Sequence, residues 1–231
     1  MSMETTENPT TDVKTSQPNN YVSIDQWIGK MKLTFDNAML PEIFVPMQTV
    51  GYTEPKITAL KGKLLQLENL QQTRTKEYAE QYAETDVFDK KCTENYEVYK
   101  THRNLAKVLF KADTMVRSIL KLDETSKRTY TGWYQEATNF YNQLAANTEL
   151  LTKSAEIGLN AAAVTAQKQS LLDLQALKES QQRETAEAQA ATAARDKAFD
   201  EFYPLYSDYI KYAKILLAGN QMLEALGIIV K

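Results

Sequence analysis

The feature that most constrains the fold of this chain is a stretch of sequence that occurs twice. Residues 51–115 align without a gap on residues 158–222, a shift of 107 positions. Twenty-two of the 65 aligned positions are identical, whereas roughly five identities are expected by chance in an unrelated pairing of this composition. The sequence therefore predicts an internal duplication, in which two related segments adopt the same local structure.

The duplicated stretch has the composition and periodicity of a long helix. Between Lys63 and Thr131 there is neither Gly nor Pro, and residues with a high helix propensity dominate. Each copy opens with apolar residues spaced by three and four, passes through a polar stretch without turn residues, and then resumes the apolar spacing. These positions are Ile57, Leu60, Leu64, Leu67, Phe88, Cys92, Tyr96 and Tyr99 in the first copy, and Val164, Leu171, Leu174, Phe199, Tyr203, Tyr206 and Ile210 in the second. We predict one continuous helix of about 57 residues in each copy, about 85 Å long.

Two helices with such heptad-like apolar positions bury them best against each other. An antiparallel pair places polar stretch against polar stretch, and an Ala-rich run at 186–198 permits close approach there. We predict an all-α, internally duplicated helical bundle, with two long antiparallel helices and short-helix bundles at both ends of a rod. The alternative is a hairpin turn in each polar stretch, which would give two compact four-helix units.

Local sequence signals predict where the shorter helices begin and end. Residues 23–26, Ser-Ile-Asp-Gln, have the form of a capping box, and Pro41 and Pro46 are expected to end the first helix and to bracket a short second segment. Pro204 predicts a kink in the second long helix. The motif of Trp27, Ile28, Met31 and Phe35 recurs, shifted by 106, as Trp133, Tyr134, Ala137 and Tyr141.

These signals divide the chain into a flexible polar tail at residues 1–22, a first helical repeat at 23–122 and a second at 129–231. We expect the two repeats to pack as one unit. The tail lacks the basic and apolar regions of a secretory signal, and no apolar run reaches the length of a membrane span. A cytoplasmic location is the default prediction.

Charge and rare residues exclude several function classes. The chain has 27 basic and 30 acidic residues, a net charge of −3, and no basic patch, so we expect no nucleic-acid partner. His102 and Cys92 are the only residues of their types, which excludes the usual di-iron, zinc and catalytic-triad constellations. There is no Gly-rich phosphate loop. We therefore predict a protein that is not an enzyme and that has no cofactor and no metal site.

Thirteen tyrosines are the least ordinary feature of the composition. One interpretation is core packing with the hydroxyl at the rim. The other is a contact surface, because Tyr and Trp are enriched where proteins meet. The candidate interaction residues are Trp27, Trp133, Tyr134, Tyr141, Tyr209 and Tyr212.

Several short motifs recur in a known pattern. They are Gly51-Tyr52-Thr53, Trp133 with Phe140-Tyr141, Ala194-Arg195-Asp196, Ala213-Lys214-Ile215 and the run Met-Leu-Glu-Ala-Leu-Gly-Ile at 222–228. In these motifs the chain resembles a group of bacterial helical proteins of no assigned activity. The resemblance covers nearly everything after residue 22. It implies a bacterial source and an all-helical fold, and it transfers no catalytic residue.

The favoured hypothesis is a non-enzymatic structural or protein-interaction protein that binds a protein partner or itself. A second hypothesis is a membrane-active, pore-forming helical protein, although its apolar segments at 43–45, 215–218 and 226–230 are short. A third is a pocket for an apolar ligand in one end bundle. We expect the C-terminal residues 227–230 to dock on their own bundle, and the alternative is that they reach a neighbouring molecule.

Overall fold

The computed structural model of the protein describes residues 22–229. The tail predicted for residues 1–22 lies outside this range except for Val22. Within the described residues all regular structure is helical and there is no strand, which confirms the predicted all-α class. The helices are α1 (Ile24–Asn37), α2 (Pro41–Gln48), α3 (Glu54–Leu109), α4 (Thr114–Ile119), α5 (Tyr130–Ala146), α6 (Thr148–Ser154), α7 (Ala161–Leu216) and α8 (Met222–Ala225), with a 3-10 turn at Ala155–Ile157.

The helices α3 and α7 are each continuous over 56 residues. The prediction of two long helices is therefore confirmed, and the hairpin alternative is wrong. Gly51 and Gly158 precede the two helices with φ of +84° and +83°, which is a conformation that Gly adopts without strain. The Asn160 side chain then accepts a hydrogen bond of 2.9 Å from the Ala163 N–H and caps the start of α7.

The prolines act differently from the prediction at one place. The capping box at Ser23 and Gln26 is present, and Pro41 is the first residue of α2. Pro46, however, lies inside α2 and does not end a segment. Pro46 removes only the bond to the Glu42 carbonyl, and Glu42 is exposed, so water can satisfy that carbonyl.

The chain divides into two compact units. Of the described residues, 22–68 and 201–229 form unit 1, and Asn69–Asp200 form unit 2. Each long helix contributes a segment to both units. The units therefore cut across the two sequence repeats, and each unit combines residues from both.

In unit 1, the short helices α1 and α2 pack on the segments of α3 and α7. Thr34 on α1 donates a hydrogen bond of 3.1 Å to the Leu226 carbonyl and so holds the end of α8. Tyr203 is partly exposed, whereas its neighbour Phe202 is buried, so the prediction of a buried residue at position 203 is wrong by one residue. The Phe202 ring packs on Phe35 of α1 with centroids 5.7 Å apart, while the Tyr203 ring lies beside Trp27 at the rim of the same helix contact. The core residues of this unit are Met31, Phe35, Ile43, Met47, Ile57, Leu67, Phe202, Tyr209 and Ala213.

In unit 2, α5 fills the space beside α3 and α7. Its buried face consists of Trp133, Ala137, Phe140, Tyr141 and Leu144. These side chains join Phe88, Tyr99 and Ala106 of α3 and Val164, Leu171 and Leu174 of α7 in one core. Burial of each large apolar side chain stabilises the fold by about 1.5–3 kcal/mol.

The α3 and α7 segments of unit 2 run antiparallel, as predicted. Arg195 donates a hydrogen bond of 3.0 Å to Gln71, and both side chains are buried. Further along, the Lys178 ammonium lies 4.8 Å from the centre of the Phe88 ring. A shift of 107 residues relates Gln71 to Lys178 and Phe88 to Arg195. The two contacts are therefore equivalent in position, but one is a hydrogen bond and the other is a cation–π contact.

Candidate functional site

A concave surface in unit 1 contains one of the predicted interaction residues, Trp27. We call it the Trp27 groove. Its walls are α1, with Trp27 and Lys30, and α7, with Tyr203, Tyr206, Ser207, Ile210 and Lys214, and its third side is the chain after α8 at residues 227–229. The groove has a volume of about 490 Å³, within the range of about 300–1,000 Å³ in which proteins hold small ligands and short segments.

Aromatic packing fixes the geometry of this groove. The rings of Trp27 and Tyr203 meet nearly edge to face, with centroids 5.0 Å apart and an angle of 84°. Tyr206 lies behind them, 6.2 Å from Trp27, and its burial raises its pKa. The Lys30 ammonium is 4.9 Å from the centre of the Trp27 ring. The result is a wall that is apolar at its base and positively charged at its edge.

The chain after α8 forms the third side through a tight helix end. Gly227 has a φ of +75°, and the Ile228 N–H donates a hydrogen bond of 3.1 Å to the Leu223 carbonyl, which is the Schellman arrangement. Ile228 is half-buried, whereas Ile229 is 86% exposed. The predicted docking of residues 227–230 therefore holds for Ile228 and not for Ile229, and Val230 lies outside the described residues.

The chemistry of the groove is that of non-covalent binding. The described residues that line it include two lysines and no carboxylate, His or Cys. Ser207 is a hydroxyl without a neighbouring base in that lining, so the groove contains no activated nucleophile. Its positive charges favour an anionic group on whatever occupies it.

The other predicted interaction residues lie in different environments. Trp133, Tyr141 and Tyr209 are buried in the cores of their units, where burial raises the pKa of both tyrosines. Tyr134 is half-buried, and its hydroxyl donates to the Leu171 carbonyl at 3.3 Å. Tyr212 is exposed. Trp27, Tyr134 and Tyr212 are thus accessible to a partner, the three buried residues support a surface only from behind, and their interaction roles stay predictions.

His102 and Cys92 serve packing in unit 2. The His102 Nδ1 lies 2.9 Å from the Tyr141 hydroxyl, and burial lowers the pKa of His102. Cys92 is half-buried against the core, and burial raises the pKa of its thiol. A raised pKa lowers the fraction of thiolate, the reactive form of Cys.

Three carboxylates form the one grouping among the described residues with the spacing of a metal site. Oxygens of Glu77, Glu80 and Glu184 lie within 4.8 Å of one another. The Lys76 ammonium, however, lies 2.9 Å from Glu80 and 3.7 Å from Glu77. Ion pairing with this lysine balances part of the negative charge, so the grouping by itself does not define a cation site.

Sequence reasoning missed a second surface feature, which is made of exposed apolar residues at equivalent positions. Val108 and Ile215, 107 residues apart, are both 72% exposed. Leu65 and Leu172 are 57% and 58% exposed. The signal was present in the sequence as apolar residues at matching positions outside the apolar spacing of each long helix.

Comparison with models of known protein families finds none that matches the chain, and comparisons with curated proteins and with solved structures find no significant match. Of the helices described, none is both long enough and apolar enough to cross a membrane.

Proposed function

We propose that this is a non-enzymatic protein-interaction protein that associates with further copies of itself through an apolar face present in each unit. We define the repeated face as Leu105 and Val108 in unit 2 and Tyr212 and Ile215 in unit 1. In each pair the residues are three apart on a helix and so lie on one side of it. The internal duplication, a coiled-coil character of the α3–α7 pair and a cytoplasmic location are parts of this proposal.

The observation that carries the proposal is the matched exposure of the repeated face. Val108 and Ile215 are equally exposed, and Leu105 and Tyr212 follow with 40% and 45%. A single exposed apolar residue needs no explanation. The residues differ within both aligned pairs, Leu105 with Tyr212 and Val108 with Ile215, and yet both positions are hydrophobic and exposed in both copies. This agreement favours a retained contact over chance.

Self-association fits this arrangement better than binding of one unrelated partner. A chain with two equivalent faces can pair them with the faces of other copies, in a closed dimer or in a longer assembly. Both faces lie on regular helix, near the C-terminal ends of α3 and α7. Such a surface changes little on binding and loses little conformational entropy.

The test is the molar mass of the full chain over a hundredfold range of concentration, by sedimentation velocity and light scattering. We expect the mass of the wild type to rise with concentration. The double variant Val108→Ser with Ile215→Ser should remain monomeric to at least about tenfold higher concentration, because burial of each side chain contributes about 1–2 kcal/mol.

The matched control is the double variant Lys90→Ser with Lys197→Ser, an identical pair of exposed residues 107 apart. We expect the control to associate like the wild type. A wild type that stays monomeric over the whole range, or a Val108/Ile215 variant that associates as strongly as the control, would contradict the proposal.

The two alternative functions stay predictions. Of the segments proposed for membrane activity, Val45, Ile215 and Ile229 are exposed, whereas Ile43 and Leu226 are buried. Release of dye from liposomes of several compositions measures this activity directly. Mass spectrometry of the denatured protein would detect an apolar ligand that copurifies with it.

A further inference from the structure

We propose that the Trp27 groove binds an extended, acidic segment of a partner protein. This inference rests on the proposed interaction function, but it concerns a surface other than the repeated face. The two proposals can therefore fail separately.

The groove has an equivalent in unit 2. Trp27 and Lys30 on α1 correspond to Trp133 and Glu136 on α5, with the shift of 106 residues. The contact between Trp27 and Tyr203, with ring centroids 5.0 Å apart, is matched by Trp133 and Tyr96 at 5.5 Å. The two units therefore build the same walls from the same framework.

The third side of the groove is also equivalent. Two residues after the end of each short helix the backbone has a positive φ, at Lys121 (+51°) after α4 and at Gly227 (+75°) after α8. The Leu122 N–H donates a hydrogen bond of 2.9 Å to the Arg117 carbonyl, which matches the bond from Ile228 to Leu223. The chain therefore leaves both short helices in the same way.

In unit 2, residues of both walls hydrogen-bond to the chain that follows α4. Arg103 donates hydrogen bonds to the carbonyls of Lys121, at 3.0 Å, and Glu124. Glu136 accepts a bond of 3.2 Å from the Lys127 N–H and one of 3.3 Å from the Ser126 hydroxyl. Residues 124–129 have no helix or strand. A segment without regular secondary structure is thus held by hydrogen bonds from both walls of the region in unit 2.

In unit 1, no described residue takes the place of that segment. Ile229 is exposed, and the groove that the described residues line has a volume of about 490 Å³. In unit 2, residues at the equivalent positions hold a stretch of about five residues without regular secondary structure. The occupant that fits unit 1 is a segment of the same kind.

Two differences between the walls define the chemistry of the occupant. Lys30 stands where Glu136 stands in unit 2, so the charge that meets the segment is inverted. Ile210 stands in the place of Arg103, so a side chain there meets an apolar surface and not a guanidinium. Lys214, like its equivalent Lys107, adds a second positive charge. The groove therefore fits an apolar residue followed, about three positions later, by an acidic one.

The test uses the full chain, labelled with ¹⁵N, and two synthetic peptides. The probe is acetyl-Leu-Thr-Ser-Asp-Glu-amide, and its matched control is acetyl-Leu-Thr-Ser-Lys-Arg-amide, which keeps the basic residues of the segment in unit 2. The chain contains two tryptophans, one in each equivalent place, so its two indole N–H signals report on the two grooves. The variant Trp27→Phe assigns them.

We expect the acidic peptide to shift the Trp27 signal in a saturable way and to leave the Trp133 signal in place. The basic peptide should bind at least about fivefold more weakly. The variant Lys30→Glu, which places the residue of unit 2 in unit 1, should reverse this preference. Lys30 is exposed, and the unchanged Trp133 signal would show that the variant is folded.

Three results would overturn the inference: no shift of the Trp27 signal at any peptide concentration, equal binding of both peptides, or an unchanged preference in Lys30→Glu. A Trp27 signal that moves with protein concentration in the absence of peptide would also overturn it, because a second copy would then be the occupant. Binding of the acidic peptide to a protein that stays monomeric would uphold this inference and contradict the self-association through the repeated face.

Discussion

The Trp27 region of unit 1 and the Trp133 region of unit 2 are built on one plan but differ in what covers them. Both place a Trp against a Tyr of a long helix, and both end a short helix with a residue of positive φ. In unit 2, Arg103 and Glu136 hold the segment that follows α4 by hydrogen bonds, and Trp133 is 3% exposed. In unit 1, Trp27 is half-buried beside an open groove. Equivalent positions thus serve the core in one unit and a surface in the other.

The largest expected difference between the two regions concerns the tryptophans themselves. Trp133→Ala should lower the free energy of unfolding by about 3–5 kcal/mol, because it leaves a large cavity in the core of unit 2. Trp27→Ala should cost about 1–2 kcal/mol, since part of the ring is already in contact with water. Urea titration followed by circular dichroism measures both. Equal costs would mean that the two regions are equally buried in solution.

The next effect concerns the arginine that holds the covering segment. Arg103→Met removes the donor to the carbonyls of Lys121, Leu122 and Glu124. We expect a loss of about 2–3 kcal/mol in the free energy of unfolding, because one buried and two partly buried carbonyls lose a charged hydrogen-bond donor. Ile210→Met at the equivalent position is the control and should cost less than about 1.5 kcal/mol. Similar losses in the two variants would argue against a structural role of these hydrogen bonds.

A pair of buried tyrosines should respond in opposite directions. Tyr141→Phe removes the hydrogen bond to His102 and should cost about 1 kcal/mol. No described group hydrogen-bonds the buried Tyr209 hydroxyl, so Tyr209→Phe should leave the stability unchanged or raise it by up to about 1 kcal/mol. Thermal unfolding of the two variants tests this. A destabilised Tyr209→Phe protein would reveal a hydrogen bond to that hydroxyl in solution.

The equivalent turns after α4 and α8 offer a further contrast of sign. Lys121→Gly should stabilise the protein by up to about 1 kcal/mol, because Lys121 has a φ of +51° that favours Gly. Gly227→Ala should destabilise the protein by about 1 kcal/mol. The alanine would have to adopt the φ of +75°, and its Cβ would lie 3.3 Å from the Leu33 side chain. Melting temperatures report both changes. A stabilising Gly227→Ala substitution would show that the turn after α8 has another conformation in solution.

The smallest expected effect is on the pH dependence of stability, to which His102 in unit 2 contributes and its equivalent in unit 1 does not. Burial lowers the pKa of His102 below its ordinary value of 6.5, so the unfolded chain takes up a proton at a higher pH than the folded chain. The contribution of the neutral ring is complete above about pH 6.5 and is lost as the pH falls through the lower, folded pKa. In unit 1 Tyr209, which does not titrate in this range, occupies the equivalent position.

We therefore expect the stability of the wild type to fall more between pH 7 and pH 5 than that of His102→Gln. Urea titrations at several pH values measure the difference. An identical pH dependence of the two proteins would show that His102 is as hydrated in the folded chain as in the unfolded one.

Much of the fold was readable in the sequence because the signals are local. The capping box at Ser23, the Gly residues before each long helix and the absence of helix breakers define the helix starts and the continuity of α3 and α7. The apolar spacing identified most of the buried faces of both long helices, but at one equivalent place in each the fully buried residue is the neighbour of the predicted one, Asn95 beside Tyr96 and Phe202 beside Tyr203. The tyrosine surplus did not separate core residues such as Tyr141 from exposed ones such as Tyr212.

The sequence by itself determined the helical class, the antiparallel pairing and the correspondence of residues 107 apart. Only the tertiary structure decided which of two equivalent positions is buried, because burial depends on segments that are distant along the chain. Glu136 and Lys30 differ by one charge inversion in the sequence, and nothing local shows that one of them meets a covering segment and the other an open groove. Helix formation follows from neighbours within a few residues, whereas a groove exists only after helices from distant parts of the chain have packed.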